Sequence, residues 1–384
     1  MIDIADNAAG IVEALRETDA ETESLRRLSD SAAALMHDAG LTLIEAPAAY
    51  GGYQLSPRAL IEAERQVAHA SPAASWVLMV CQAHTFIAGR LPEQGQAEVF
   101  GPDPGVYIPG VPSRQGTCQK ADGGYMLKGR WPFASGADHG DWLMVGSRGT
   151  RNAAGEPCPG MIVVLPRADV VIDDTWFTMG MRGTGSKDIV LDDVFVPEHR
   201  AVPMAEAFVG TVPGVEVPLY RLPVAATLAT MLLGSLVGIS QRGLELFIDA
   251  TRTRRDAYSG EPKVNSIGLQ RRVAEADGEI GLAWTLAQQN CDLLEAAMEH
   301  DPPMAPEARA RVRWNAAYAA ELCRRAADRL YAGAGANAAH NSHAMQAVFR
   351  NVNTATHHAM LDFDSTLEIQ GKALLGVEQP DAMI

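Results

Sequence analysis

The sequence predicts an α+β protein, mostly helical, in three consecutive blocks, and three changes of texture carry that prediction. From about residue 8 to 100 apolar residues recur three and four apart. From about 105 to 200 the chain breaks into short runs rich in Val, Ile and aromatics. From about 220 onward the helical period returns in long segments. The expected organisation is an N-terminal helical domain (1–104), a middle antiparallel β-domain (105–215) and a C-terminal helical bundle (216–384).

In the first block, LRRLSDSAAALMHDAG has helical spacing and ends at Gly40, a stop signal. ALIEAERQVAHAS repeats the pattern, and SWVLMVCQAHTFIAGRL reads as a more buried helix. LIEAPAAYGGYQLSP is a loop punctuated by Pro and Gly–Gly. In the second block GGYMLKGRWPFASG, DWLMVGSRG, GMIVVLPR, VVIDDTWF and KDIVLDDVFVP read as strands between Gly, Pro and Asp clusters. In the third, GLQRRVAEADGEIGLAWTLAQQNCDLLEAAMEH is far longer than an ordinary helix, as a bundle requires. Leu222 to Ser240 carries no charge and is almost long enough to span a bilayer. No Lys/Arg bias or aromatic belt flanks it, so a helix buried in the bundle is expected, with no membrane partner.

Composition narrows the function classes. The chain has 384 residues, 47% hydrophobic and 21% charged, which excludes a disordered scaffold or a disulfide mini-protein. A formal charge of −15 argues against nucleic-acid binding. Cys81, Cys118, Cys158, Cys291 and Cys323 are scattered without metal-ligand spacing, which fits a reducing cytoplasm and predicts no metal site. The acidic N-terminus lacks the basic and apolar regions of a signal peptide.

Four motifs stand out. GAGANA (Gly333–Ala338) imitates a dinucleotide fingerprint, but no strand precedes it, so it is expected to be a helix end. RWPFASGADHGDW (Arg130–Trp142) gathers rings and a hydroxyl at a strand–turn–strand. That suits either aromatic packing or an edge facing a flat ring system, with Phe133 as a wall and Ser135 as a hydrogen-bonding group. MGMRGTGSKDIVLDDVFVP (Met179–Pro197) suits either a tight turn with positive φ at Gly183 and Gly185 or close backbone approach to a ligand. In FRNVNTATHHAMLDFD (Phe349–Asp364), read as a helix, His358 and Asp362 share a face. The carboxylate could then orient the imidazole as a general base. His84, in VLMVCQAHTF, is either a core histidine or a site residue.

Taken in this order, the three blocks resemble the acyl-CoA dehydrogenase fold, which implies a helical domain, a β-barrel domain and a four-helix bundle. GRWPFASGADHGDW, DTWFTMGMRGTGSKDIVLDDVFVPEHR and FRNVNTATHHAMLD resemble its oxygenase branch, the oxygenase components of two-component flavin-dependent monooxygenases. The resemblance implies reduced FMN or FAD between β-domain and bundle. Trp76, Gly110, Val111, Pro112, Phe133, Ala134 and Ser135 would contact it from one side and Ala336, Asn337, His358 and Ala359 from the bundle. Ser135 would lie near flavin N5, and Arg255 would reach the phosphate of a neighbouring subunit's flavin in a homotetramer. The implied chemistry is hydroxylation of an aromatic, phenolic or polycyclic molecule by O₂ through a flavin C4a-hydroperoxide. His358 would act as substrate base, oriented by Asp362, or else serve the hydroperoxide, and His84 would line the substrate side. A separate NAD(P)H:flavin reductase would supply the flavin. The alternatives are an FAD-dependent acyl-CoA dehydrogenase, whose base would be a bundle Glu where this chain has His358, the nearby Glu368 lying well past that place, an N-hydroxylase of an amino sugar nucleotide on the same fold, and an inactive flavin-binding or assembly protein.

Overall fold

The computed structural model describes residues 4–151, 155–299 and 303–377. Helices come first: α1 (Ile4–Gly10), α2 (Val12–Leu25), α3 (Asp30–Asp38), α4 (Pro57–Ala68), α5 (Pro72–Ala88) and α6 (Glu93–Phe100). LRRLSDSAAALMHDAG is not one helix. α2 stops at Arg26 in a left-handed conformation (φ 54°), and Ser29 starts α3 by accepting a hydrogen bond from the Ala32 N–H. Gly40 (φ 72°) follows α3 as the expected stop.

The strands are β1 (Gly110–Val111), β2 (Thr117–Ala121), β3 (Gly124–Ala134), β4 (Trp142–Gly146), β5 (Arg148–Gly149), β6 (Met161–Pro166), β7 (Val171–Asp173), β8 (Lys187–Pro197) and β9 (Ala201–Pro203). They form two open sheets, ordered β1-β4-β6-β9 and β5-β2-β3-β8-β7. The sheets share one apolar core, where Leu127, Trp131, Ile189 and Leu191 meet Leu143, Val145, Val163 and Leu165. No sheet closes among the described residues, which corrects the expected barrel. The outer strands are only two or three residues long, too short to pair across from one sheet to the other. Pairing is antiparallel except where β1 joins β4 and β2 joins β5.

The remaining helices are α7 (Met204–Val209), α8 (Val224–Thr253), α9 (Ile267–Met298), α10 (Pro306–Ala334), α11 (Ala344–Ala355) and α12 (Phe363–Leu375). α8, α9 and α10 pack on one another, α11 lies against α8 and α10, and α12 lies on α10. The uncharged stretch is the first half of α8. It is long and apolar enough to cross a membrane by composition, yet the neighbouring helices α4, α5, α9 and α10 cover it. The helices before and after the strands contribute to one continuous core that runs from Ile4 to Leu361. GAGANA is the expected helix end, with Gly335 (φ 83°) closing α10.

One expected helix breaks. α11 ends at Ala355, and His358 (φ −62°, ψ 133°) instead opens a 3-10 turn, Ala359–Leu361. Asp362 then caps α12 by accepting from the Ser365 N–H at 3.0 Å. His and Asp side chains here bond the backbone ahead of them, which competes with helix continuation. His358 and Asp362 therefore do not share a helix face.

Behind α5, Glu64 is fully buried. Burial holds its pKa well above the ordinary carboxylate range, and the nearby Glu45 adds to the effect. In the unfolded chain this carboxyl ionises near pH 4.3, whereas the folded protein keeps the proton, so stability falls as the pH rises above about 4. Glu64→Gln keeps the shape and stays neutral. Between about pH 5 and pH 8 the variant should lose less stability in urea titrations than the wild type. Equal pH dependence in both would mean that Glu64 is ionised in the fold.

Candidate active site

Helix α5 gathers the site. Trp76, Val80 and His84 are four residues apart and so share one face. The Trp76 ring meets His358 edge-on, with centroids 5.9 Å apart. His84 Nδ1 lies 2.8 Å from the Ile108 carbonyl, just before Gly110, Val111 and Pro112. On the adjacent stripe, a Cβ at Gly136 would lie 2.8 Å from Val77 Cγ1, so the end of β3 is pressed onto the helix. Trp76, His84, residues 110–112, 133–135 and His358 are thereby brought together. Gly110 itself is dictated by strand pairing, because a Cβ there would meet the Met144 carbonyl at 2.0 Å.

The two imidazoles are neutral and have opposite polarity. Burial lowers both pKa values to about 4, with His358 adding repulsion at His84 and Arg313 adding repulsion at His358. A carbonyl only accepts, so His84 carries its proton on Nδ1 and presents an Nε2 lone pair. His358 Nδ1 accepts from the Met360 N–H at 3.2 Å, so its proton sits on Nε2 and that nitrogen donates. His358 is thus a donor in its resting state, which corrects its expected role as the base. Asp362 has no part in orienting it, being committed to α12.

Strand β3 ends in a register shift between Trp131 and Ala134, and Phe133 there adopts φ 74°. A positive φ at an aromatic residue is strained and typical of functional sites. The bulge throws the Phe133 ring outward, 66% exposed, edge-on to Trp176 at 6.2 Å. Next to it begins a chain of hydroxyls: Ser135 Oγ to Ser186 Oγ is 2.7 Å, Ser186 to Thr184 Oγ1 is 2.6 Å, and Thr184 donates to the Met181 carbonyl at 2.9 Å. Each hydroxyl has one proton, and the carbonyl end accepts only. All three protons therefore point toward Met181, and the lone pairs of Ser135 are left for an N–H donor.

The Gly-rich turn is a packing joint. Met181 and Gly185 take positive φ (52° and 54°), and the expected positive φ at Gly183 does not occur. Gly183 is required instead by contact, since a Cβ would lie 2.4 Å from Thr22 Cγ2 and 2.9 Å from Ala73 Cβ. Arg350 donates to Met179 O and Glu23, and Asn351 Oδ1 accepts from the Met181 N–H at 2.8 Å.

Other expected residues lie elsewhere. Ala359 is exposed beside His358, whereas Ala336, Asn337 and Arg255 are exposed on two loops of the helical part. Those loops adjoin, because Arg254 Nη2 is 3.0 Å from where a Gly335 Cβ would be. Arg255 donates to Gly260 O at 2.9 Å. Sequence reading missed Ser186, Thr184 and Trp176. The string GTGS did mark a turn, but nothing in it says that its hydroxyls line up behind Ser135.

The family described as acyl-CoA dehydrogenase, C-terminal domain, matches residues 231–363. Over 374 residues the chain is 30% identical to the flavin-dependent monooxygenase, oxygenase subunit HsaA, of Rhodococcus jostii, covering 96% of this chain and 97% of the relative. The chain belongs to this family of monooxygenase oxygenase subunits. It is also 28% identical to the oxygenase component of the FADH2-dependent resorcinol hydroxylase of a Rhizobium species, covering 96% and 93%. The structure of XiaF from a Streptomyces species, solved with FADH2 and glycerol, superposes with a TM-score of 0.91 at 28% identity, covering 98% and 95%.

For a monooxygenase the bundle needs no carboxylate base. Glu368, the nearby Glu lying past the place of a dehydrogenase base, is on α12 and ion-paired with Lys372. Asp362→Ala should cost about 1 kcal/mol through the lost cap of α12 and leave turnover per folded protein unchanged. A large loss of turnover with normal stability would restore Asp362 to the site.

Proposed function

We propose that this enzyme hydroxylates an aromatic or phenolic molecule with O₂ and reduced flavin, delivered by a separate NAD(P)H-dependent reductase, and works as a cytoplasmic homotetramer. The observation that carries the reading is the polarised hydroxyl chain ending at Ser135 beside the displaced Phe133 ring. Reduced flavin carries an N–H at N5, the donor that Ser135 is poised to accept. Phe133 and Trp176 offer a wall for its ring system, so the residues present fit the group. When bound, reduced flavin activates O₂, one atom of which enters the ring while the other leaves as water.

The chain's own residues then have distinct tasks. Ser135 holds the N5 proton in place, and Ser186 and Thr184 keep Ser135 oriented. Trp76, Val80 and the rings around Phe133 exclude water. His84 Nε2 accepts the proton of a substrate hydroxyl in a hydrogen bond, and His358 Nε2–H donates to an oxygen opposite. Arg255, Ala336 and Asn337, exposed and away from this cluster, suit contact with a neighbouring subunit's flavin, which supports the tetramer. Among the described residues gathered here there is no carboxylate for the acyl-CoA dehydrogenase reading to use.

The test is anaerobic binding of reduced FMN and FAD, followed by O₂ and a panel of phenols, with product and H₂O₂ both measured. Ser135→Ala should lower product per flavin oxidised by about 5- to 10-fold, the loss of one hydrogen bond, and raise H₂O₂ correspondingly. Ser186→Ala should shift the same ratio less, with flavin affinity little changed in both. Unchanged coupling in Ser135→Ala, or no binding of reduced flavin, would sink the reading.

A pH prediction follows from the imidazoles. Both have depressed pKa values, about 4, so both are neutral throughout the working range. The coupling ratio should therefore show no histidine titration between about pH 5 and pH 8. An inflection near pH 6.5, absent in His84→Gln or His358→Gln, would overturn the assignment.

A further inference from the structure

Arg313 lies in the first half of α10 with its side chain nearly enclosed, 7% exposed. Among the described residues it makes no hydrogen bond and no ion pair, and its Nε is fully buried without a partner. Burial pushes the guanidinium's pKa down with no carboxylate opposing the effect. Other enclosed arginines are answered. Arg90 donates to the Phe86 and Leu222 carbonyls near Glu45, and Arg350 is paired with Glu23. The charge of Arg313 acts on His358, and α10 packs against the turn Ala359–Leu361 that follows that histidine. On α12, the helix laid on α10, Thr366 Oγ1 and Gln370 Oε1 are also buried without partners.

A guanidinium does not shed its proton in a protein. Its burial without a counter-charge is a standing cost, and groups perturbed in this way cluster at functional sites. We propose that Arg313 binds an anionic oxygen of the aromatic substrate on the far side of His358, so that the enzyme selects aromatic molecules bearing a carboxylate or bound as phenolates. The inference rests on the monooxygenase reading and adds to it the charge of the substrate. His358, neutral with its proton on Nε2, donates to the same substrate beside it.

The experiment compares two probes of equal length, para-hydroxyphenylpropionate and para-propylphenol. Each is titrated calorimetrically and by ultraviolet difference spectra into the protein, first alone and then with reduced FMN under anaerobic conditions. Wild type, Arg313→Met and Arg313→Lys are compared. If a carboxylate is the anion, the wild type should prefer the acid by roughly 10- to 100-fold, the worth of a charge-assisted hydrogen bond. Arg313→Met should abolish the preference, and Arg313→Lys should keep part of it. If the phenolate is the anion, para-propylphenol should develop a phenolate band on binding near neutral pH in the wild type and not in Arg313→Met. Because the variant loses an unpaired buried charge, its ligand-free melting temperature should equal or exceed that of the wild type. Unchanged affinities for both probes with no phenolate band overturn the proposal. So does a lowered melting temperature with unchanged affinity, which would make Arg313 a structural partner. Failure of reduced FMN to bind would instead sink the monooxygenase reading, and the acid preference would still be read on the flavin-free protein.

Discussion

The contact of Gly136 with Val77 and Cys81 is the joint on which the site depends, because there the strand core meets the helical core. α5 can serve as that joint only because it is buried all round, from Ala73 to Ala88. Its rear face is tied into the helices by Ser75, which bonds Ser235, and by Gln82, which bridges Glu45 N–H and the Thr42 carbonyl. Its front face presents Trp76 and His84. A helix clamped on both sides cannot rotate, so the distance from Trp76 to His358 and the height of Ser135 over the helix are set by one element. A side chain at Gly136 would lift β3 and change both at once.

Strain and polarity at the end of β3 have the same origin. Ladder pairing with β8 lapses between Trp131 and Ala134, which releases Phe133 into a left-handed conformation and turns its ring outward. Two residues on, Ser135 turns back into the chain and reaches Ser186. The polarity of that hydroxyl relay is set by Met181 O, two hydroxyls away from Ser135, and Met181 is itself held by Asn351 from α11. The helical part after the strands therefore governs a proton position in the strand region without touching Ser135.

Much of this was legible in the sequence, and the exceptions have physical causes. The switch from helical to alternating periodicity located the strand region, and Phe133, Ser135, Trp76 and His84 were singled out from local texture and resemblance. The barrel was not legible as two open sheets, because closure depends on outer-strand lengths that composition does not reveal. The helix through 349–364 looked continuous because its apolar spacing persists. What ends it is the competition of His358 and Asp362 for backbone N–H groups, a local hydrogen-bond choice invisible to periodicity. Ser186 and Thr184 looked like ordinary turn residues, and only the packing of the turn on α2, α5 and α11 puts them behind Ser135.

Charge decides how far the two histidines can go toward activating a phenol. A phenol ionises near pH 10, so full transfer of its proton to an imidazole of pKa about 4 is uphill by about six pKa units, on the order of 8 kcal/mol. Neither His84 nor His358 can therefore act alone as a strong base, and their value lies in direction: one accepts and one donates across the same space. The energy that a phenolate or carboxylate needs in a dry pocket has to come from a fixed positive charge. Near His358 the structure supplies one, Arg313, which among the described residues makes no hydrogen bond or ion pair. Neutral histidines and an unanswered arginine are then two sides of one arrangement. Burial keeps both imidazoles unprotonated, the arginine adds to that effect at His358, and the anion is left to the arginine while the neutral imidazoles direct it.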